Sequence, residues 1–167
     1  MKTLRLLIAI LGLSLCFPVI ASGLRAPHGP VVLTVTGNIS QTNDHDEAAF
    51  DLEMLDQLPQ HSITTTTPWF DDSRTFTGPL VRDVLELLGA KGTNAKAVAL
   101  NDYHIDIPAE DFQEYDVVLA TRIDGEILTI RDKGPIFIIY PFDQIPETRN
   151  EVFFQRCIWQ LVQVIVE

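Results

Sequence analysis

The residues that most often perform catalysis lack catalytic spacing in this sequence. The four histidines, His28, His45, His61 and His104, are scattered, and there is no G-x-S-x-G, no H-E-x-x-H and no glycine-rich phosphate loop. Paired carboxylates are plentiful, but 23 acidic residues produce such pairs by chance. The motifs therefore give no support to an enzymatic activity.

Cys157 and His45 are the two side chains that could suggest reactivity or metal binding on their own. Cys157 lies in an apolar stretch, which is typical of a packed, inert thiol. His45 lies between two aspartates in the polar stretch 41–49. Three adjacent side chains in one loop cannot converge on one ion, so we expect a solvated loop and no metal site.

Charge and the amino-terminal sequence narrow the class of protein. The 167 residues carry a formal net charge of −11, which repels nucleic-acid phosphates and anionic lipid headgroups. Lys2 and Arg5 precede an apolar run that ends before Ala21, a pattern typical of a cleavable secretory signal peptide over residues 1–21. We therefore expect an exported chain with a single domain over 22–167 and no intramolecular disulfide, because only Cys157 remains.

The hydrophobic pattern predicts an α+β domain with about eight strands and two or three helices. The clearest helix spans Pro79 to Leu88 and is closed by Gly89. Asp124-Gly125 predicts a hairpin between 117–123 and 126–131. Further strands are predicted at 31–37, 62–69, 97–101, 103–107, 136–140 and from Leu161 onward, with a helical turn at 108–111 and an extended or helical start to 50–58.

The order of several segments resembles the sulfite-oxidase-type molybdopterin-binding fold. The matching segments are T-T-T-T-P-W-F (64–70), F-T-G-P-L (76–80), R-D-V-L-E-L-L-G (82–89), N-D-Y (101–103), L-A-x-x-x-D-G-E-x-L (119–128), K-G-P-I-F-I-I-Y-P (133–141) and W-Q-L-V-Q-V-I-V-E (159–167). These segments cover nearly the whole chain after the predicted signal peptide. The resemblance implies a compact, β-rich α+β domain.

One position departs from that family. In many of its bacterial enzymes, the cysteine that ligates molybdenum lies four residues before a tryptophan, and the corresponding tryptophan here is Trp69. Thr65 therefore stands in the cysteine's position. A neutral hydroxyl cannot replace a thiolate on such a metal, so we expect no molybdenum.

The segment Arg149 to Leu161, R-N-E-x-x-F-x-R-x-I-W-Q-L, is similar to a small exported branch of the family that lacks the cysteine. Members of that branch are periplasmic pterin-binding regulators, partnered by an inner-membrane sensor that makes or degrades cyclic di-GMP. The resemblance implies the same location, the periplasm, and the same kind of partner. It implies a ligand-dependent regulator that is not an enzyme.

A pterin is a flat heterocycle that needs aromatic faces, an acceptor for its amide-and-amine edge, and donors for its ring oxygen and nitrogens. Trp69 and Tyr103 offer aromatic faces, Asp102 an acceptor, and the remaining candidates donors: Thr65, Thr67, Arg149 and Arg156. These seven residues are the predicted ligand site.

Structural roles compete with these assignments. Trp159 could offer a third aromatic face, but its neighbour Ile158 favours a core position, whereas Trp69 fits a cleft and a core equally. Asp102 could instead cap a turn, and the two arginines could form surface ion pairs with Glu147 or Glu151. Two other functions also stay open, a molybdopterin-dependent oxidoreductase, which would need Cys157 as its ligand, and a structural periplasmic adaptor.

Overall fold

The computed structural model describes residues 23–167, and the predicted signal peptide therefore lies outside the described residues. The strands are β1 (Val31–Gly37), β2 (Ala48–Asp51), β3 (Gln60–Thr67), β4 (Phe70–Pro79), β5 (Asn94–Ala99), β6 (His104–Pro108), β7 (Val118–Ala120), β8 (Arg122–Ile123), β9 (Glu126–Ile127), β10 (Phe137–Ile139) and β11 (Leu161–Val166). The helices are α1 (Leu52–Asp56), α2 (Val81–Leu87), α3 (Ala109–Glu114) and α4 (Glu151–Arg156), with 3-10 turns at Ile130–Asp132 and Pro146–Thr148.

The strands form three sheets. A five-stranded sheet has the order β2-β1-β11-β5-β6, and its only parallel pair among the described strands is β1 with β11. A four-stranded antiparallel sheet has the order β3-β4-β8-β9, and β7 pairs with β10. The predicted α+β class is confirmed, since the described chain is a strand-rich domain with few, short helices.

Hydrophobic burial joins the sheets through the central strands β7 and β10. Every residue of both strands is buried, as are the neighbouring side chains of Tyr140 and Phe142. β4 crosses β7 so closely that a Cβ on Gly78 would lie 1.9 Å from the carbonyl oxygen of Leu119. Only glycine fits at this crossing, and the close approach brings the four-stranded sheet onto the core.

Several elements form where the local sequence predicts them. The tip of the β8–β9 hairpin has positive φ at both Asp124 and Gly125, as a two-residue type I′ turn requires. α2 ends before Gly89, which has a φ of +58°. β1, β10 and β11 lie inside their predicted ranges.

Other expectations were wrong. Ala48 and Ala49, predicted within a solvated loop, are buried in β2 because this strand pairs with β1 at the edge of the large sheet. Pro79 ends β4 and does not begin α2. The described residues also contain more, shorter elements than the sequence predicts.

Among residues 23–167, the helices are too short and too polar for any of them to cross a membrane.

Candidate functional site

An open cavity of about 540 Å³ lies beside the carboxyl end of β3, the β5–β6 turn and α4. We call it the aromatic cavity. Its lining residues are Pro68, Trp69, Ala99, Asn101, Tyr103, Glu151, Phe154, Gln155, Cys157, Ile158 and Trp159. The volume lies within the range of small-molecule sites.

Edge-to-face packing fixes the two tryptophans of the cavity wall. Their ring centroids are 5.8 Å apart with an interplanar angle of 72°. Both also pack against the fully buried ring of Phe137, at 5.5 Å from Trp69 and 6.0 Å from Trp159. Such perpendicular contacts are favourable between aromatic quadrupoles, so the rings are oriented without a ligand.

The expected core position of Trp159 is wrong, because this side chain is 38% exposed and lines the cavity. Trp69 is partly buried and combines both of its expected positions, packing on the core and facing the cavity. The ammonium group of Lys133 lies 4.4 Å from the centroid of the Trp159 ring, a cation–π contact that the sequence did not predict. Lys133 therefore covers part of the Trp159 surface.

The β5–β6 turn supplies the third aromatic ring of the wall. Tyr103 is 50% exposed, and its backbone N–H donates to the side-chain oxygen of Asn101 at 3.2 Å. Asp102 has a φ of +63°, and its N–H donates to the carbonyl of Ala99 at 3.0 Å. The exposed Asp102 is not among the lining residues, so its observed contacts are those of a turn residue.

Helix α4 forms another part of the wall, in a segment for which the sequence predicted no helix. Asn150 caps it by accepting hydrogen bonds from the N–H groups of Val152 (2.9 Å) and Phe153 (3.4 Å). Glu151 and Gln155, four residues apart, lie on one face of the helix and both line the cavity. Sequence reasoning missed both, although the Asn-Glu pair is an ordinary helix-start signal.

Thr65 and Thr67 point into the protein because alternate residues of β3 face inward. The Thr65 hydroxyl is fully buried, donates to the carbonyl of Thr66 at 3.3 Å and accepts from the N–H of Asp143 at 3.1 Å. The Thr67 hydroxyl accepts from the N–H of Trp69 at 3.3 Å. Neither threonine is a lining residue, but Thr67 fixes the backbone that carries Trp69.

Arg149 is engaged outside the cavity wall. One of its guanidinium nitrogens donates to the hydroxyl of Thr66 and to the carboxylate of Asp143, both at 2.7 Å. Burial opposes ionisation of Asp143, but hydrogen bonds from Thr66 and the charge of Arg149 leave the pKa of this carboxyl below its usual value. The contact ties the edge strand β3 to the segment before α4.

Arg156 is engaged with a buried carboxylate on α3. Its guanidinium donates to Asp111 at 2.7 Å, and the hydroxyl of Tyr140 donates to the same oxygen at 2.7 Å. The expected surface ion pairs with Glu147 or Glu151 are therefore wrong for both arginines, since each binds an aspartate from another segment. Arg156 lies on α4 but is not among the cavity-lining residues.

The donors available near the cavity do not fit a molybdenum ion. The Thr65 hydroxyl is already hydrogen-bonded inside the protein, where it accepts from the N–H of Asp143. Burial raises the pKa of the Cys157 thiol, against the opposing effect of the Tyr140 N–H, and this side chain is packed in the core at 3% exposure. The described residues contain no cluster of three or more His, Cys, Asp or Glu side chains suited to a metal.

The structure thus brings Trp69, Tyr103 and Trp159 together in one cavity wall, while Thr65, Thr67, Asp102, Arg149 and Arg156 lie outside its lining. No protein-family model matches the chain, and no curated protein matches it. The ligand-binding role of the seven predicted residues stays a prediction.

Proposed function

We propose that this protein is a periplasmic, pterin-binding regulator on a sulfite-oxidase-type fold, and that it controls an inner-membrane enzyme of cyclic-di-GMP metabolism without being an enzyme itself. The observation that carries the proposal is the aromatic cavity, where three exposed or partly exposed rings stand beside amide and carboxylate side chains. That combination suits a flat heterocycle with a polar edge.

The angle between the tryptophans limits how such a ligand can sit. Because the two rings are 72° apart, a flat heterocycle can stack on one of them and meets the other at its edge. Lys133 contacts the Trp159 ring but is not among the lining residues, whereas Trp159 is, so part of that ring stays open to the cavity. Tyr103, on the β5–β6 turn, offers a further aromatic contact.

The regulatory part of the proposal rests on the resemblance of 149–161 to partnered, cysteine-less proteins. The residues that could bind a metal support the non-catalytic part of the proposal. The Thr65 hydroxyl is hydrogen-bonded inside the protein, and Cys157 is a buried thiol. In the proposal, ligand occupancy of the cavity changes how the protein engages the periplasmic region of the sensor. The net negative charge of this protein favours a partner whose contacting surface is basic.

Ligand binding can be tested with the protein's own fluorescence. The chain has two tryptophans, and both line the cavity, so a ligand bound there changes the emission of every tryptophan present. We expect reduced or oxidised pterin to quench this emission saturably, and protein purified from the periplasm to release fluorescent pterin on denaturation. Absence of both effects would contradict pterin binding and favour a structural adaptor.

Aromatic variants locate the site. Trp159→Ala, at a 38% exposed ring, should weaken pterin binding by about tenfold or more, by analogy with base stacking on protein aromatics, with a small change in melting temperature. Trp69→Ala should weaken binding and also lower stability, because Trp69 packs against the core and contacts Phe154 as well as Phe137. Unchanged calorimetric affinities in both variants would place the ligand elsewhere.

The regulatory role has its own test. The protein and a candidate sensor are expressed together, and cyclic di-GMP is measured with the wild-type regulator and with Trp159→Ala. A change that depends on the regulator and is lost in the variant supports ligand-dependent control. If pterin binds but no periplasmically exposed sensor responds, the binding assignment stands and the partner assignment fails.

A further inference from the structure

We propose that the Glu151 carboxylate recognises the amine-and-amide edge of the ligand and restricts the site to 2-amino-4-oxo heterocycles. This inference rests on the proposed function and deepens it by naming the group that selects the ligand. Asp102, the acceptor that the sequence predicted, lies outside the cavity lining, whereas Glu151 lies within it.

Glu151 is the one charged residue among the lining residues. It is exposed and is the first residue of α4, on the helix face that also carries Phe154 and Gln155 toward the cavity. A carboxylate in the first turn is favoured by the helix dipole. The cavity therefore has a single anionic acceptor at its wall, beside aromatic surface.

The carboxylate of Glu151 is left free by the arginines on either side of it in the chain. Arg149 binds Asp143 and Thr66, and Arg156 binds Asp111. Within residues 23–167, Glu151 forms no salt bridge and donates or accepts no side-chain hydrogen bond. Its two oxygens are available to a ligand.

The hydrogen-bonding groups on the edge of the heterocycle decide which pteridine the carboxylate of Glu151 can bind. A 2-amino-4-oxo pteridine presents two parallel donors, the ring N3–H and the 2-amino group, and a carboxylate accepts both. A 2,4-dioxo pteridine has a carbonyl oxygen in place of the amine. A carboxylate is acceptor-only, so it repels that oxygen. Glutamine, with one acceptor and one donor, suits the dioxo edge instead.

The experiment compares pterin with lumazine, two pteridines that differ at position 2, on the wild-type protein and on Glu151→Gln. Calorimetry gives the affinities and tryptophan quenching checks the location. We expect the wild type to bind pterin about tenfold or more tightly than lumazine, by analogy with bidentate base recognition, and Glu151→Gln to narrow or reverse that ratio. Glu147→Gln is the matched control, since Glu147 is exposed and outside the cavity lining.

The outcomes separate the two proposals. If Glu151→Gln retains the melting temperature, the pterin affinity and the pterin-to-lumazine ratio of the wild type, the Glu151 assignment is overturned and pterin binding stands. Equal wild-type affinities for both ligands also overturn it. If the wild type binds neither pteridine, the proposed function fails first, and Glu151 has no ligand to select.

Discussion

At the level of single residues, one carboxylate oxygen of Asp111 accepts hydrogen bonds from both Arg156 and Tyr140. Asp111 is 7% exposed and Tyr140 is fully buried, so this contact lies within the packed interior. Burial and the hydrogen bond to Asp111 raise the pKa of Tyr140, which stays a neutral donor. The cluster connects α3, α4 and the segment after β10.

Arg156→Ala should therefore lower stability substantially, by about 2–4 kcal/mol, because it leaves a buried carboxylate with one partner fewer. Urea unfolding followed by circular dichroism measures the loss. Arg149→Ala is the matched control, since its pair with Asp143 is half exposed and should contribute no more than about 1 kcal/mol. Equal effects of the two substitutions would contradict the distinction between them.

Asp51 links stability to acid pH. Hydrogen bonds from the backbone N–H groups of Gly29, Met54 and His28, together with the charge of Arg25, lower its pKa to about 2 although burial opposes this. A carboxyl whose pKa falls on folding stabilises the native state above its unfolded pKa, about 4, and that contribution is lost as the pH falls to about 2.

Asp51→Asn should thus be less stable than the wild type at pH 6, and the difference should shrink between pH 4 and pH 2. Urea midpoints at pH 6, 4 and 2.5 give the comparison. Asp46→Asn, at an exposed loop position, serves as the control and should follow the wild type. A constant difference between the wild type and Asp51→Asn at all three pH values would show that Asp51 does not titrate in this window.

At the level of elements, α4 has six residues and depends on its cap and its packing, because a helix this short is not stable alone. Asn150 satisfies two of its free N–H groups. Phe154 packs on Phe142 with ring centroids 5.0 Å apart. The helix orients Glu151 and Gln155 at the cavity only while these contacts exist.

Asn150→Ala should cost about 1 kcal/mol of stability and weaken pterin binding, since loss of the cap frays the turn that carries Glu151. Asn150→Asp retains the accepting side chain and should restore stability. Unfolding midpoints and calorimetric affinities are measured for both. Wild-type affinity in Asn150→Ala would mean that the first turn of α4 does not contribute to the site.

At the scale of the whole molecule, the cavity is assembled from three separate parts of the chain: the end of β3, the β5–β6 turn and the segment 151–159. The segment 157–159 also runs beside β10, with a bridge between Phe137 and Trp159. The strand β10 thus lies directly behind the two tryptophans of the cavity wall, both of which pack on its Phe137 ring.

The purified protein should contain far less than one molybdenum atom per chain, even from cells that make the cofactor. The reason is that neither Thr65 nor Cys157 is a suitable molybdenum ligand: the Thr65 hydroxyl is hydrogen-bonded inside the protein, and Cys157 is a buried thiol. Elemental analysis of the periplasmic protein measures the content, and Thr65→Cys tests whether a thiol at that position permits loading. Stoichiometric molybdenum in the wild type would support the oxidoreductase alternative.

Local chemistry explains which elements were predictable. The Asp124-Gly125 hairpin, the apolar run of β10 and the glycine stop after α2 each depend on residues within a few positions of one another. Sequence patterns likewise predicted a packed Cys157, which is 3% exposed. The ligand site that includes Trp69 and Tyr103 stays a prediction. The strand β2 was missed because its burial depends on pairing with β1. The helix α4 has no fully buried residue, and its local signal, the Asn150 cap, was overlooked.

By itself, the sequence determined the α+β class, the net acidic charge and the main strands, and it supplied the aromatic side chains that could share a site. Only the tertiary structure decided which of the aromatic side chains face one cavity. Arg156 is 45 residues from the Asp111 it binds, and Arg149 is 83 from Thr66. Hydrophobic periodicity shows which side of a helix or strand is apolar. It does not show which residue pairs with a charged side chain or how exposed Trp159 is, because both depend on contacts between distant segments of the chain.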